Sequence, residues 1–171
     1  MKSDTKKIAA SALLAALSFV LMYLGTLTGV LDLCAVTLGA LGCAFAVIEI
    51  GGIWPWMTAA VTGALSLLLL PDKFAALEYI VLGGVYPIVK SYFERLPKMW
   101  AWAAKIVYFN VMLTLALLAA KYLIGITEDW VTFGIVVYAA ANVFFIIFDI
   151  ALTMFISVYV VRLRKRFKIK F

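Results

Sequence analysis

The polar side chains that could take part in chemistry lie inside otherwise apolar stretches of this chain. Asn142 and Asp149 are seven residues apart, so they share one face of a helix, and Asn110 lies in the preceding apolar stretch. Counted from Lys98 and from Arg162, Asn110 and Asp149 reach a similar depth. We therefore expect a hydrogen bond between Asn110 and Asp149 that locks two helices together. A proton or ion relay is the alternative, because a polar group in lipid needs a partner or a purpose.

A second set of polar and aromatic residues is expected to converge towards the outer surface. The set comes from the predicted fourth, fifth and sixth helices and comprises Glu78, Tyr79, Lys121, Trp130, Tyr138 and Asn142. Together these residues would line an outward-facing cup that binds a small polar or aromatic ligand. The alternative is that each is an ordinary residue of the membrane interface.

Catalytic and metal-binding patterns are missing from the sequence. The chain has no histidine, which argues against a histidine-ligated zinc site and against a histidine-based catalytic dyad. It also lacks a Walker A loop and the H-E-x-x-H and G-x-S-x-G motifs. We expect no enzyme activity, no catalytic residue, no metal and no cofactor.

Six apolar stretches must position these polar residues. A bilayer core about 30 Å thick requires roughly 20 apolar residues per helix, and a soluble domain of this length could not bury so much apolar surface. The sequence predicts an all-α integral membrane protein, a bundle of six transmembrane helices in a single domain spanning 1–171. The expected helices are 8–28, 33–49, 53–71, 74–92, 103–124 and 130–161.

The positive charges predict the orientation of the bundle. With six crossings, all of the 15 Lys and Arg residues except Lys73 and Lys121 fall on one side of the membrane, and this side is expected to be cytoplasmic. Both termini would then be inside. The net charge of +6 is explained by topology and by contacts with anionic lipid rather than by nucleic acid. The segment Tyr86–Lys98 is expected to form an amphipathic connector along the inner surface.

Small residues recur four apart near the start of the first helix. Ser11 is followed by Ala15, and Ala12 by Ala16. Such faces allow two helices to approach closely in lipid. They would serve either packing within this protein or docking onto another membrane subunit.

The architecture resembles that of the substrate-binding S components of energy-coupling factor transporters. The resemblance rests on the basic N-terminus that runs into the Ala-rich segment Lys7–Leu17, on six spans with both ends inside, and on the basic tail. It implies capture of a vitamin-like or other micronutrient in an outward cavity, followed by toppling in the membrane. It also implies docking through Ala12 and Ala16 on a transmembrane coupling subunit driven by two cytoplasmic ATPases, in a bacterial or archaeal cytoplasmic membrane.

Two other functions remain open. A membrane scaffold similar to the rod-shape protein MreD would use the same small-residue faces and need no ligand cup. A small secondary transporter would show inverted repeats and broken helices, which are not evident in the sequence. A polar outer cup favours the S component, whereas dry, packed outer ends favour the scaffold.

Overall fold

The computed structural model describes residues 2–27, 32–124 and 134–163, which form six helices. Of these residues, 92% are helical and none lies in a strand. Several helices contain a π-helical stretch, in which each turn holds about one additional residue. The helices are α1 (Lys2–Thr26), α2 (Asp32–Phe45, extended by Ala46–Ile50), α3 (Trp54–Leu69), α4 (Lys73–Glu78, Tyr79–Val85 and Tyr86–Phe93 in succession), α5 (Lys98–Ala119, extended by Ala120–Ile124) and α6 (Ile135–Val158, extended by Tyr159–Leu163).

Five of the six helices are long and apolar enough to cross a membrane. The exception is α3, whose 16 residues correspond to about 24 Å of helical rise, less than the usual thickness of the hydrocarbon core. The predicted all-α class with six helices is confirmed for the described residues, and the apolar helices indicate a multi-pass membrane protein.

The predicted connector Tyr86–Lys98 is mostly wrong. Tyr86–Phe93 is the last part of α4, and α5 already begins at Lys98, so only 94–97 link the two helices. Pro87 lies just after the π-helical stretch and has no N–H group to donate to the preceding turn of α4. The segment 86–90 is not a surface element either, because Tyr86, Ile88 and Lys90 are buried.

Short polar or glycine-containing turns join α2 to α3 and α3 to α4. Gly51 and Gly52 adopt φ angles of 66° and 62°, a left-handed conformation that glycine enters without a steric penalty. The Asp72 carboxylate accepts a hydrogen bond of 2.8 Å from the Phe74 N–H and so caps α4. The Lys73 ammonium donates to the Leu70 carbonyl at 2.8 Å and to the Leu67 carbonyl at 2.9 Å, which satisfies acceptors at the end of α3.

Small residues bring α1 and α2 into close contact. A Cβ atom built on Gly42 would lie 2.0 Å from Ser18 Oγ, and one built on Gly39 would lie 2.9 Å from Met22 Cγ. Ser18 and Met22 are both buried. The close approach follows the rule that helices in lipid pack through small residues.

The centre of the bundle is α4, which is the most buried of the five long helices. In its π-helical stretch the ring of Tyr79 lies over Gly83, where an added Cβ would be 2.4 Å from Tyr79 Cδ2. The Cys43 thiol of α2 donates to the Gly84 carbonyl at 3.0 Å. The π-helical stretch of α4 therefore packs on α1–α3, and the last part of α4 brings Tyr86 and Lys90 to Asp149 of α6 and Tyr86 to Tyr108 of α5.

Candidate functional site

A buried cluster of charged residues joins α4, α5 and α6. At its centre is Asp149, which is only 2% exposed. One carboxylate oxygen accepts hydrogen bonds from the Tyr86 hydroxyl at 2.5 Å and from the Lys90 ammonium. The other accepts from the Lys105 ammonium at 2.8 Å. We call these residues, together with Glu94, the charge cluster.

Glu94 is the member of the charge cluster that reaches the surface. Its side chain is 45% exposed, and its Oε1 lies 2.8 Å from Lys90 Nζ and 3.6 Å from Lys105 Nζ. Lys90 also donates to Thr153 Oγ1 at 2.8 Å. Two ammonium groups thus face two carboxylates, and the cluster is neutral overall.

Neutrality explains how these ions are accommodated in an apolar bundle. A buried ion loses several kcal/mol of hydration, and only close opposite charges with additional hydrogen bonds compensate for this loss. Asp149 has three donors from two helices. The charge cluster therefore fixes α4 and α5 against α6.

A second polar seam continues along α5 and α6. Asn110 and Asn142 exchange two side-chain hydrogen bonds of 2.9 and 3.0 Å. Four residues after Asn110 and four residues before Asn142, the hydroxyls of Thr114 and Tyr138 are 2.8 Å apart. The two helices are antiparallel. Lys105 precedes Asn110 on α5 and Asp149 follows Asn142 on α6, so the Lys105–Asp149 ion pair lies on the opposite side of the amide pair from Thr114 and Tyr138.

The expected hydrogen bond between Asn110 and Asp149 is thus replaced by two different pairings. Asn110 bonds to Asn142, and Asp149 bonds to Lys105 on the same helix as Asn110. The reason is electrostatic as well as geometric, because a buried carboxylate is stabilised far more by an ammonium group than by a neutral amide.

A cavity of about 300 Å³ lies at the other end of the bundle, between α2, α4, α5 and α6. Phe74, Phe109 and Phe144 contribute aromatic rings to its wall, and Glu78 is the only charged residue among the described residues that line it. Ala140 of α6 also lines it. The described part of the lining is therefore apolar, with one carboxylate.

The predicted cup residues do not converge as a group. Glu78 lines the cavity, whereas Tyr79 is fully buried and contacts the α1–α2 packing around Gly39. Lys121 lies at the surface over the ring of Tyr122, 5.7 Å from its centroid. The two residues Tyr138 and Asn142 belong to the polar seam between α5 and α6. Trp130 lies outside the described residues.

The small residues of α1 divide into two faces. Ser11 and Ala15 are buried against the rest of the bundle, which accounts for one of the two repeats by internal packing. Ala12 and Ala16 are exposed. The two alanines expected to dock on a partner are therefore accessible, and Ala12 lines a shallow groove with Trp54 and Met57 of α3.

The charge cluster was not predicted, although the sequence contains its signal. Lys90 and Lys105 were interpreted only as determinants of topology and as contacts with anionic lipid. Lys105 follows Ala103 and Ala104 and precedes Ile106, so it lies within an apolar run rather than in a loop. A carboxylate as isolated as Asp149 requires a cation from another helix, and Lys105 is such a cation.

Within the described ranges, no three His, Cys, Asp or Glu side chains lie close enough together to hold a metal ion. No family model, curated protein or solved structure matches this chain. The functional assignment must therefore rest on the geometry of the cavity, the exposed face of α1 and the charge cluster.

Proposed function

We propose that this chain is the substrate-capture subunit, or S component, of an energy-coupling factor transporter. In this proposal it lies in a bacterial or archaeal cytoplasmic membrane with both termini inside. It binds a vitamin-like or other small micronutrient from outside and delivers it to a transmembrane coupling subunit with two cytoplasmic ATPases.

The observation that carries the proposal is the position of the cavity. It lies beside Phe74 and Leu77 near the start of α4, beside Leu117 near the end of α5, and beside Val137 near the start of α6. These are the helix ends that the charge distribution predicts to face outward. A volume of about 300 Å³ is at the lower end of the usual range for ligand sites, so the ligand is small.

The lining favours a flat, largely apolar ligand that carries a hydrogen-bond donor or a positive charge. Aromatic rings of Phe74, Phe109 and Phe144 provide stacking surfaces. The carboxylate of Glu78 would accept from an N–H group of the ligand. A single polar anchor in an apolar wall is typical of small-molecule sites.

A matched pair of alanines tests the cavity. Ala140 lines it and the neighbouring Ala139 does not, although both are exposed on α6. We expect purified protein to retain a small molecule that mass spectrometry detects, and Ala140→Leu to lose it while Ala139→Leu keeps it. Glu78→Gln should weaken retention as well. If wild-type protein from native membranes carries no small molecule, or if both alanine variants retain it equally, the cavity is not the capture site.

A second experiment tests the partner. We expect a tagged chain, extracted in mild detergent, to co-purify with a membrane subunit and two ATPases. Replacing Ala12 and Ala16 with leucine should abolish this co-purification, because the added bulk prevents close helix approach. Ala139→Leu, on an exposed face of another helix, is the control. Unchanged co-purification of the α1 variant would remove the docking assignment.

A membrane scaffold is the second candidate function, and one observation favours it. Two of the six residues expected in the cup, Tyr138 and Asn142, are instead bonded between α5 and α6, so these two side chains do not contribute free polar groups to an outer cup. A scaffold would co-purify with cell-envelope synthesis proteins and would retain no small molecule.

A further inference from the structure

A groove of about 780 Å³ opens beside the charge cluster, between the start of α5 and the last turns of α6. It lies at the opposite end of the bundle from the cavity, and the two share none of their described lining residues. We call its charged lining residues Glu94, Lys98, Lys105 and Asp149 the floor, and its apolar lining residues, among them Trp102, Met154 and Val158, the walls. The groove thus combines a charged floor with apolar walls.

The floor is arranged to accept an anion. Lys105 is only 6% exposed, and its ammonium is 5.3 Å from the ring centroid of Trp102. Its contact with Glu94, at 3.6 Å, is looser than its 2.8 Å bond to Asp149. Glu94 also pairs with Lys90 at 2.8 Å, but its side chain is 45% exposed whereas that of Asp149 is 3% exposed. Glu94 is therefore the carboxylate that an external anion can most easily replace. Without Glu94, the three lysines Lys90, Lys98 and Lys105 outnumber Asp149 by two charges.

The apolar walls indicate which class of molecule carries the anionic group. Met154 and Val158 are 63% and 49% exposed, and they continue from the groove onto the surface of a helix that is apolar enough to cross a membrane. Met99 and Trp100, at the start of α5, are also exposed, and tryptophan is enriched at the level of lipid headgroups. A soluble anion would make no use of these apolar walls.

We propose that the groove binds an anionic phospholipid. Its phosphate lies between Lys98 and Lys105 in place of the Glu94 carboxylate, and one acyl chain lies along Met154 and Val158. Glu94 swings into solvent when the lipid binds and returns when the lipid leaves. A zwitterionic lipid binds less well because its own cation opposes the lysines that remain.

The test uses the full chain in bilayer nanodiscs of phosphatidylcholine that contain a low mole fraction of phosphatidylglycerol. Bromine on the acyl chains of either lipid quenches nearby tryptophan, and the difference between wild type and Trp102→Phe isolates the signal from Trp102. We expect brominated phosphatidylglycerol to quench Trp102 more than brominated phosphatidylcholine does at the same fraction. Lys98→Gln should weaken this preference about fivefold, the effect of one lysine near an anionic surface.

Opposite effects of two neighbouring substitutions make the test specific. Glu94→Gln should strengthen the preference for phosphatidylglycerol, because it removes the competing carboxylate, and Lys121→Gln at the other end of the bundle should leave it unchanged. Equal quenching by the two lipids in wild type would overturn the proposal, as would an equal lipid preference in Lys98→Gln and Lys121→Gln.

A third experiment adds inorganic phosphate as a competitor. If phosphate displaces the lipid at comparable concentration, the site recognises a soluble anion and the lipid assignment is wrong.

Discussion

Asp149 and Glu94 contact the same two lysines, yet they differ in burial. Asp149 is 2% exposed and balances Lys90 and Lys105 inside the bundle, whereas the side chain of Glu94 is 45% exposed. Removing one partner of a buried ion pair costs about 3–5 kcal/mol because the other charge is left uncompensated. A solvent-exposed carboxylate contributes about 1 kcal/mol or less.

We therefore expect Asp149→Asn to lower the free energy of unfolding by about 3–5 kcal/mol and Glu94→Gln to lower it much less. Unfolding in mixed micelles with increasing SDS measures both. Combining Asp149→Asn with Lys105→Met should recover part of the loss, since Lys90 then faces Glu94 alone. Similar losses for the two single variants would show that the carboxylates are equivalent and that burial does not govern the cluster.

The amide pair between α5 and α6 makes a separate prediction at the residue scale. Asn110 and Asn142 share two hydrogen bonds, so Asn110→Ala and Asn142→Ala should not be additive. A double-mutant cycle in the same unfolding assay is expected to give a coupling energy of about 0.6–1.7 kcal/mol, the range for interhelical hydrogen bonds in membranes. A cycle between Asn110 and Asp149 is the control and should give less. A larger coupling energy between Asn110 and Asp149 than between Asn110 and Asn142 would support the pairing expected from the sequence.

The sequence was sufficient to single out Asn110, Asn142 and Asp149, but not to pair them. Depth was counted from Lys98 and from Arg162 as though both residues lay at one level. Because Asp149 is level with Lys105, seven residues from Lys98 but thirteen from Arg162, Arg162 extends about 9 Å beyond Lys98. The sequence shows which residues share one face of a helix. The axial offset between two helices depends on how they pack, and only the structure shows it.

At the scale of elements, α4 differs from expectation in its interior rather than in its bounds. Its span was predicted to within one residue at each end, but its π-helical stretch Tyr79–Val85 and the burial of Tyr86 and Lys90 were not. Alternating polar and aromatic residues after Tyr86 were interpreted as a surface connector. They are instead explained by the buried charge cluster, in which Asp149 pairs with Lys90 and so allows a lysine inside the helix to be buried. A polar residue in an apolar chain can mark either the surface or a partner, and sequence alone does not distinguish the two.

The π-helical stretch of α4 depends on the absence of a side chain at Gly83. An added Cβ would lie 2.4 Å from the ring of Tyr79, which is fully buried. We expect Gly83→Ala to destabilise the protein by about 1–3 kcal/mol through overpacking, despite the higher helix propensity of alanine. Gly63→Ala in α3 is the control, because the Cβ there would be 3.2 Å from the flexible Ile80 side chain. Equal thermal stability of the two variants would contradict this account of the stretch.

The topology of the whole molecule depends on how many helices cross the membrane, and this number depends on α3. The other five helices are long enough to cross, but α3 has only 16 residues. The Lys73 ammonium binds the carbonyls at the end of α3, which shields acceptors that a short helix would expose close to the bilayer core. We therefore expect α3 to cross and both termini to lie on the cytoplasmic side.

Single cysteines in a Cys34→Ser background test this topology, since Cys43 is buried and hydrogen-bonded. An impermeant maleimide applied to intact cells should label Pro71→Cys, whereas Thr5→Cys and Leu96→Cys should react only after the membrane is opened. If Thr5→Cys and Pro71→Cys are both protected while Leu96→Cys reacts, α3 does not cross, and the chain has five spans with its ends on opposite sides. If only Pro71→Cys is protected, the bundle is inverted. The cavity near Phe74 would then face the cytoplasm, and capture of a nutrient from outside would be excluded because its binding site would open on the wrong side of the membrane.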